Sequence, residues 1–543
     1  MKLPASYTTE RQKLALLLVI AAFACAAVWF RLWQLPLQLI ADDEWHALHK
    51  LTASDAWGIF TSFGHADHSI PVTLYYYGIS LFTPLTEGIL RAPMVAVGLA
   101  TPIVIPLLCG RFLSRQEQIL LFLLLALSPI LIYYTRTARP YAISTFLTGI
   151  AVIVFYLWTI RPSVGKAVVY LLCCSLSAWM QPVTLTFLLT PFLFYGIKSL
   201  YLWGKRGHHR LFWLLLALGL SQLAALALLL GPPIYYNIHE ITGKTGSDSP
   251  TVTSLIDTFR LLLGSASNFY GALALAATIF GVYTLWQRNR EVTLYIGLCI
   301  ALPFIVIANS GAAWIQHPLV SARYGLPALL FLGIFLATGI AQATRIMHRQ
   351  LFTPLVVATA AAIYFAGPLP RIYAPDINQF TNHMVYQADY RWEENYYNVE
   401  LDNRPISEFY QTLGSGKPKE VNIVIAPWFL EWHWDRWYID QAVHQQQITA
   451  GFLDGFCGSR FYGEYPPENQ QIALKNIVHI SALATKSHHS KHDYLIYHKN
   501  ASRGDRDAAR YRECGQKVRE MFGPPTYEDD VLVAYPLNHT VGL

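Results

Sequence analysis

The chain has 543 residues, of which 54% are hydrophobic and only 14% charged, and its formal net charge is +6. About a quarter of the residues of an ordinary soluble domain are charged, so this composition excludes such a domain and predicts a polytopic membrane protein. The modest positive charge comes without a basic stripe interleaved with aromatic residues, which argues against a nucleic-acid partner.

Long runs of Leu, Ala, Ile and Phe predict about eleven membrane-spanning helices before residue 370. They cover approximately residues 14–34, 92–110, 117–134, 141–160, 167–180, 183–203, 211–231, 258–286, 292–308, 324–343 and 351–367. Every second connection carries Arg or Lys, as cytoplasmic loops do. This pattern places the N-terminus in the cytoplasm and, because the number of spans is odd, the C-terminal part outside. The first run is too long for a cleavable signal peptide and is predicted to be an uncleaved anchor.

Residues 1–369 are therefore predicted to form a membrane domain, and residues 370–543 a soluble α/β domain on the outer side. In the second part, short β-rich runs such as VNIVIAP and HDYLIYH alternate with amphipathic segments, which favours a small α/β layer. Cys457 and Cys514 are the only cysteines there, so a disulfide between them is predicted in an oxidising compartment; two unrelated free thiols are the alternative.

An acidic cluster comes directly after the first span: Asp42, Asp43 and Glu44. Three carboxylates crowded at a membrane surface repel one another and are costly to desolvate, which indicates a functional role. They begin an outer loop of about residues 35–90, whose aromatic segments are typical of helices at the membrane interface. Asp67 and His68 belong to a second polar group in this loop, for which a metal site, a proton relay and an exposed turn are all open.

Two arginines, Arg136 and Arg139, lie at the outer end of the third span, next to Tyr141. The planar guanidinium matches phosphate oxygens and Tyr can also hydrogen-bond them, so this segment is a candidate phosphate site. Contacts with lipid headgroups or with the acids of the first loop are the alternatives. The outer loop 232–257 is rich in Gly, Ser and Thr and is predicted to be a mobile flap whose Tyr235 and Lys244 reach the site. An ordinary solvated loop is the alternative there.

Residues 30–150 resemble the N-terminal signature of the polyprenyl-phosphate-dependent glycosyltransferases of the GT-C superfamily, which include protein O-mannosyltransferases and the lipid A aminoarabinose transferase. The resemblance consists, in order, of Asp43-Glu44 after the first span, ADHSIPVTLYYY, LRAPMV at the start of the second span, and LSPILIYYTRTARPYA. A weaker echo occurs around Arg323. The resemblance does not cover residues 370–543.

The resemblance implies a GT-C fold and inverting transfer of a sugar from an undecaprenyl- or dolichyl-phosphate carrier to an acceptor hydroxyl, without a cofactor. Asp43 would be the general base, with Asp42 as an alternative, and Glu44 would orient the acceptor or Asp43. Arg139, Arg136 and Arg323 would stabilise the phosphate as negative charge builds on it.

This sequence departs from the family pattern in two places. His68-Ser-Ile-Pro replaces His-Pro-Pro-Leu, and Thr137 stands where the family often has an acid. A divalent ion held by Asp43, Asp67 and His68 stays open, although Asp and His at unconstrained spacing are weak support for one.

The sequence thus predicts an enzyme of a bacterial inner membrane with its active site facing the periplasm. The acceptor is left open among lipopolysaccharide or lipid A, another glycolipid, a cell-wall glycan and a protein. A transporter or flippase of lipid-linked sugars is one rival, but it calls for charges in mid-span, whereas these cluster at one surface. A membrane-anchored glycan-binding assembly protein is the other, and it leaves the acidic cluster and the two arginines unexplained.

Overall fold

The computed structural model describes most of the predicted membrane domain and the greater part of the chain after residue 404. The described residues are 10–33, 35, 40, 44–63, 69–207, 209–243, 249–265, 267–311, 315–347, 349–367, 369, 405–417, 420–427, 437–452, 477–485, 491–499 and 505–537.

The helices before residue 370 succeed one another with short connections. In chain order they are α1 (Glu10–Leu32), α2 (Trp45–Ala53), α3 (Ala56–Phe60), α4 (Ile70–Ser80), α5 (Glu87–Leu108), α6 (Arg115–Leu127), α7 (Pro129–Thr135), α8 (Tyr141–Ile160), α9 (Val164–Met180), α10 (Leu185–Arg206), α11 (Arg210–Thr242), α12 (Val252–Leu263), α13 (Asn268–Arg288), α14 (Arg290–Ala308), α15 (Pro318–Tyr324), α16 (Leu326–Met347) and α17 (Phe352–Ala366).

Eight of these helices are long and apolar enough to cross a membrane: α1, α5, α8, α10, α11, α13, α14 and α16. The pair α6 and α7, bent by 57° at its junction, forms a ninth candidate, and α9 and α17 are shorter apolar helices. Each of these eleven segments overlaps one of the predicted runs, and the chain is a multi-pass membrane protein. Helices α2, α3 and α4 lie within residues 35–90, the stretch that the sequence predicted to be an outer loop with interfacial helices.

Two predicted segments differ from the structure. The run 258–286 is not one helix, because Gly264 adopts φ 84° and ends α12, so that only α13 has the length of a span. The predicted flap 232–257 is helical at both ends, since α11 continues through Pro232 and Pro233 with a kink at Asn237 and α12 begins at Val252. Residues 244–248 lie outside the described residues.

Helices α13 and α16 cross with their backbones in contact. A Cβ atom added to Gly281 would lie 1.8 Å from the carbonyl oxygen of Phe335, and one added to Gly339 would lie 1.8 Å from that of Ala277. Close approach at small residues lets membrane helices gain van der Waals contact where no hydrophobic effect drives them together. Glycine is therefore required at both positions.

The start of α6 and the ends of α13 and α16 meet on one side of the helix bundle. The carboxylate of Glu117 is buried and accepts hydrogen bonds from both terminal nitrogens of Arg288, at 2.6 and 3.2 Å. Arg345 lies 3.7 Å from the same carboxylate and donates to the Ser114 hydroxyl at 2.7 Å. The basic loops that sequence analysis assigned to one side of the membrane are thus in contact here.

The described elements after residue 404 form an α/β layer. They are α18 (Glu408–Ser415), β1 (Asn422–Ala426), α19 (Trp437–His444), β2 (Gln447–Phe452), β3 (Ile477–His479), α20 (Ile480–Thr485), β4 (Tyr494–His498), α21 (Asp505–Phe522), β5 (Tyr527–Glu528) and β6 (Leu532–Pro536). The strand order is β3-β2-β1-β4-β6-β5, with β1 to β4 parallel and β6 antiparallel to both of its neighbours. The predicted α/β class is confirmed.

Both faces of this sheet are covered by helices. Ile423 and Ile425 share a core with α18, whereas Val424 and Ala426 face α20 and α21. Parallel strands buried on both faces explain the nearly continuous apolar composition of β1 and β4. Cys514, on α21, is disulfide-bonded, while its predicted partner Cys457 lies outside the described residues.

Candidate active site

The site is organised around the break between α6 and α7. Ser128 caps α7 with its hydroxyl, and Pro129 occupies the first helical position, where a missing N–H costs nothing. The last carbonyls of α6 then lack intrahelical partners. Arg31 of α1 fills this need, because its guanidinium donates to the carbonyls of Ala126 at 2.8 Å and Leu125 at 3.2 Å.

Arg136 in turn binds the last carbonyls of α1. Its Nη1 donates to the carbonyls of Trp33 at 2.8 Å and Phe30 at 3.2 Å, at the end of that helix. Both Arg31 and Arg136 are buried. Arg136 thus anchors the segment 136–140 to α1, and the contribution to phosphate binding predicted for it stays a prediction.

Glu44 holds the same segment from the other side. Its carboxylate is 1% exposed and receives two hydrogen bonds from Arg91, at 2.9 and 2.7 Å. The same carboxylate accepts the backbone N–H of Ala138 at 2.6 Å. Arg91 is itself fully buried and also donates to the carbonyl of Leu35 at 3.3 Å. Glu44 is therefore half of a buried ion pair that fixes the residue preceding Arg139.

Three of the residues predicted to bind phosphate lie together. Arg139 is buried, donates through Nη2 to the Tyr141 hydroxyl at 3.3 Å, and has its guanidinium carbon 5.6 Å from the centre of the Tyr141 ring. The guanidinium carbon of Arg323, on α15, lies 5.6 Å from the same ring and 5.3 Å from that of Tyr324. The ring attracts each cation, but two positive charges beside one ring also repel each other. A bound anion would relieve that repulsion.

Two residues of α2 that sequence analysis did not select also belong to this region. His46 Nδ1 lies 3.3 Å from Arg139 Nη1, and Lys50 is one helical turn further along the same face. Burial lowers the pKa of Lys50, and the nearby Glu240 carboxylate partly offsets this effect.

Of the remaining predicted residues, the structure describes only Tyr235. The side chain of Tyr235 is 83% exposed and packs edge-to-face on Tyr236 at 5.0 Å. Asp42, Asp43, Asp67, His68 and Lys244 lie outside the described residues. Within the described part of the chain there is no group of three or more His, Cys, Asp or Glu able to hold a metal ion.

Arg91 and His46 were missed because their partners are far away in the sequence. Arg91 meets Glu44 across 47 positions, and His46 meets Arg139 across 93. No local spacing encodes such contacts. For Arg91 a signal did exist, since it stands in the LRAPMV segment that carries part of the family resemblance.

Comparison with solved structures identifies the fold class. The chain aligns with the crystal structure of apo ArnT from Cupriavidus metallidurans, a lipid A aminoarabinose transferase, over 97% of this chain and 98% of that chain, with a TM-score of 0.52 and 12% identity. The same enzyme bound to undecaprenyl phosphate aligns over 96% and 98% with a TM-score of 0.48 and 13% identity. An oligosaccharyltransferase from Archaeoglobus fulgidus aligns over 96% and 73% with a TM-score of 0.42 and 13% identity.

No protein-family model and no curated protein matches the sequence. The alignment with the apo transferase extends over nearly the whole of both chains. The protein is thus a multi-pass membrane protein with the GT-C fold, as the sequence predicted. At 12% identity the likeness shows the fold alone.

Proposed function

We propose that the protein is an inverting glycosyltransferase that moves a sugar from a polyprenyl-phosphate carrier to an acceptor hydroxyl. The observation that carries this proposal is the placement of Arg139 and Arg323 on one Tyr141 ring, in a segment that Glu44 holds next to the acidic motif. Such a site provides fixed positive charge for a phosphate, and the acceptor proton is assigned to Asp43, which directly precedes Glu44 in the chain.

The two guanidiniums suit the leaving group. In the transfer, the acceptor oxygen forms a bond to the anomeric carbon while the bond from that carbon to the phosphate oxygen breaks. The lipid phosphate therefore gains negative charge in the transition state. Cations already fixed where charge develops are the largest contribution that many enzymes make to rate. Arg139 and Arg323 fill this role, with Arg136 and Lys244 as further candidates.

Asp43 is proposed as the general base, with Asp42 as the alternative. Glu44 directly follows Asp43 in the chain and binds the backbone of Ala138, which directly precedes Arg139. A base adjoining Glu44 and a phosphate site adjoining Ala138 are thus tied together by one buried hydrogen bond. Asp67, His68 and Tyr235 are proposed to contact the acceptor or the outer loops.

We place the site on the periplasmic side of a bacterial inner membrane. The Glu117 cluster at the start of α6 and the arginines beyond α7 lie at opposite ends of the bent helix pair α6–α7, and the cluster contains Arg288 and Arg345, the basic residues of two connections. The positive-inside rule assigns that end to the cytoplasm. The disulfide at Cys514 fits residues 370–543 forming a domain in an oxidising compartment.

A transfer assay tests the proposal. Purified protein in lipid nanodiscs is incubated with radiolabelled undecaprenyl-phosphate sugars and with extracts that supply glycolipid, cell-wall and protein acceptors. The wild type should form a labelled product, and Asp43→Asn should retain lipid binding but form none. Arg139→Gln should bind the lipid about tenfold or more weakly and form less product. Arg290→Gln should retain both; Arg290 stacks on Trp286 at the same 5.6 Å but at a distant helix start.

Two outcomes would reject the proposal. Undiminished transfer by Asp43→Asn, with Asp42→Asn also active, would remove the acidic motif from the chemistry. Movement of labelled lipid across the bilayer without a new glycosidic bond would instead identify a transporter.

A further inference from the structure

The start of α2 makes two contacts with consecutive residues of the segment between α7 and α8. Glu44 accepts the N–H of Ala138, and two positions later His46 lies 3.3 Å from the guanidinium of Arg139. From these contacts we propose that His46 is a positioning residue, which orients Arg139 for the lipid phosphate. This inference rests on the proposed function and adds to it a residue outside the motifs that suggested it.

The hydrogen bond requires one form of the imidazole. An arginine side chain has only donors and keeps its charge at all accessible pH values, so Nη1 of Arg139 is the donor in such a bond. His46 Nδ1 then has to supply the lone pair, which requires a neutral ring with its hydrogen on Nε2. A charged imidazolium at this place would offer no acceptor and would put a second positive charge beside the guanidinium.

His46 and Tyr141 together determine the plane of the guanidinium. Nη1 points to the imidazole and Nη2 to the Tyr141 hydroxyl, both at 3.3 Å, while the guanidinium carbon lies 5.6 Å from the centre of the Tyr141 ring. Because the five N–H donors of arginine lie in one plane, holding two of its three nitrogens fixes the directions of the others. The phosphate then meets donors that need no reorientation.

The position of α2 explains why this contact matters for the reaction. Asp43, Glu44 and His46 lie within one stretch of four residues. A shift of α2 relative to Arg139 would therefore change the separation between the proposed base and the phosphate site. Misplacement of reacting groups by about 1 Å can cost on the order of 100-fold in rate. The contact of His46 with Arg139 therefore fixes the position of the proposed base relative to the phosphate site.

Three variants separate a positioning role from a structural one. His46→Phe keeps a ring and removes the acceptor, whereas His46→Asn places an amide oxygen close to where Nδ1 was. His209→Phe is the control, since His209 is exposed and its ring bonds only locally, to the carbonyl of Gly207. The assay measures the dissociation constant for undecaprenyl phosphate, KM for the sugar donor and kcat at saturating donor, together with the thermal midpoint of each variant.

We expect His46→Phe to weaken phosphate-lipid binding and to lower kcat, each by about tenfold or more, with the thermal midpoint nearly unchanged. His46→Asn should recover most of both losses, and His209→Phe should resemble the wild type. Equal behaviour of His46→Phe and His46→Asn, or normal binding and turnover by His46→Phe, would overturn the positioning role. A wild type that neither binds the lipid nor transfers sugar would instead overturn the proposed function.

A binding cycle keeps the test decisive if His46→Phe is unstable. The second variant, His46→Leu, also removes the acceptor. In an Arg139→Gln background there is no guanidinium left to orient, so adding His46→Leu should change lipid affinity by less than about twofold. An undiminished effect of the His46 substitution in that background would show that His46 does not act through Arg139.

Discussion

Removing the guanidinium of Arg91 should destabilise the protein more than most single substitutions. Arg91→Met keeps the length of the side chain but leaves the Glu44 carboxylate, 1% exposed, without two short charge-assisted hydrogen bonds. Hydrogen bonds to charged groups contribute about 1.5–3 kcal/mol each, and breaking a buried ion pair costs about 3–5 kcal/mol. We expect Arg91→Met to lower the unfolding free energy by about 3–5 kcal/mol.

The partner substitution distinguishes a coupled pair from two separate losses. In Glu44→Gln the carboxylate charge is gone, but an amide oxygen remains to accept the N–H of Ala138. The double variant Glu44→Gln/Arg91→Met has no buried charge left to satisfy, so its cost should fall short of the sum of the single costs by about 2 kcal/mol or more.

The unfolding free energies are measured by titrating the detergent-solubilised protein with dodecyl sulfate. Binding of undecaprenyl phosphate, measured on the same samples, reports the position of segment 136–140. Arg91→Met should weaken that binding, because Arg91 no longer holds the Glu44 carboxylate in the position where it accepts the N–H of Ala138. Additive costs, with lipid affinity unchanged in all three variants, would refute the account of Glu44 and Arg91 as a buried pair that positions Arg139.

Three further predictions concern regions away from the site. Gly339→Ala puts a methyl group against a carbonyl oxygen and should lower the unfolding free energy by about 1–3 kcal/mol, whereas Gly196→Ala, with open space around it, should not; thermal midpoints in detergent compare them. Glu117→Gln should speed hydrogen exchange at the start of α6, because Arg288 and Arg345 lose their carboxylate partner. An unchanged exchange rate would contradict the view that Glu117 holds the start of α6 to the ends of α13 and α16. Burial lowers the pKa of His444 to about 3 from an ordinary 6.5, so below pH 6.5 the unfolded C-terminal part takes up a proton that the folded part does not. Its unfolding free energy should fall by about 1.4 kcal/mol per pH unit as the pH drops from 6.5 towards 3, and His444→Phe should reduce that slope. The slope is measured by urea titrations of the full chain at several pH values. At each urea concentration a pulse of hydrogen exchange, always at one fixed pH, reports the unfolded fraction of residues 437–452.

The helical spans and the strands could be predicted because each is encoded by its own residues. A continuous apolar run is sufficient for a span, and β1 and β4 each read as short buried strands. The errors arose at Pro and Gly residues, which can either end a helix or lie within one. Pro232 and Pro233 predicted the end of a helix that in fact continues, and Gly264 ended one that was read as continuous.

The site divides in the same way. The arginine-tyrosine segment was found from local composition and family resemblance, and the structure brings Arg139, Tyr141 and Arg323 together. Arg91 and His46 were not found, because their roles exist only through partners that folding brings close. The parts that a motif carries were thus predictable, and the parts that position the motif were not.

The most direct measurement of the central claim is the affinity for undecaprenyl phosphate of the wild type, Arg139→Gln, Arg323→Gln and the double variant, with Arg290→Gln as the control. If both guanidiniums bind one phosphate, each single variant should bind about tenfold or more weakly, since hydrogen bonds to charged groups contribute about 1.5–3 kcal/mol. The control should match the wild type. Wild-type affinity in the double variant would contradict the account.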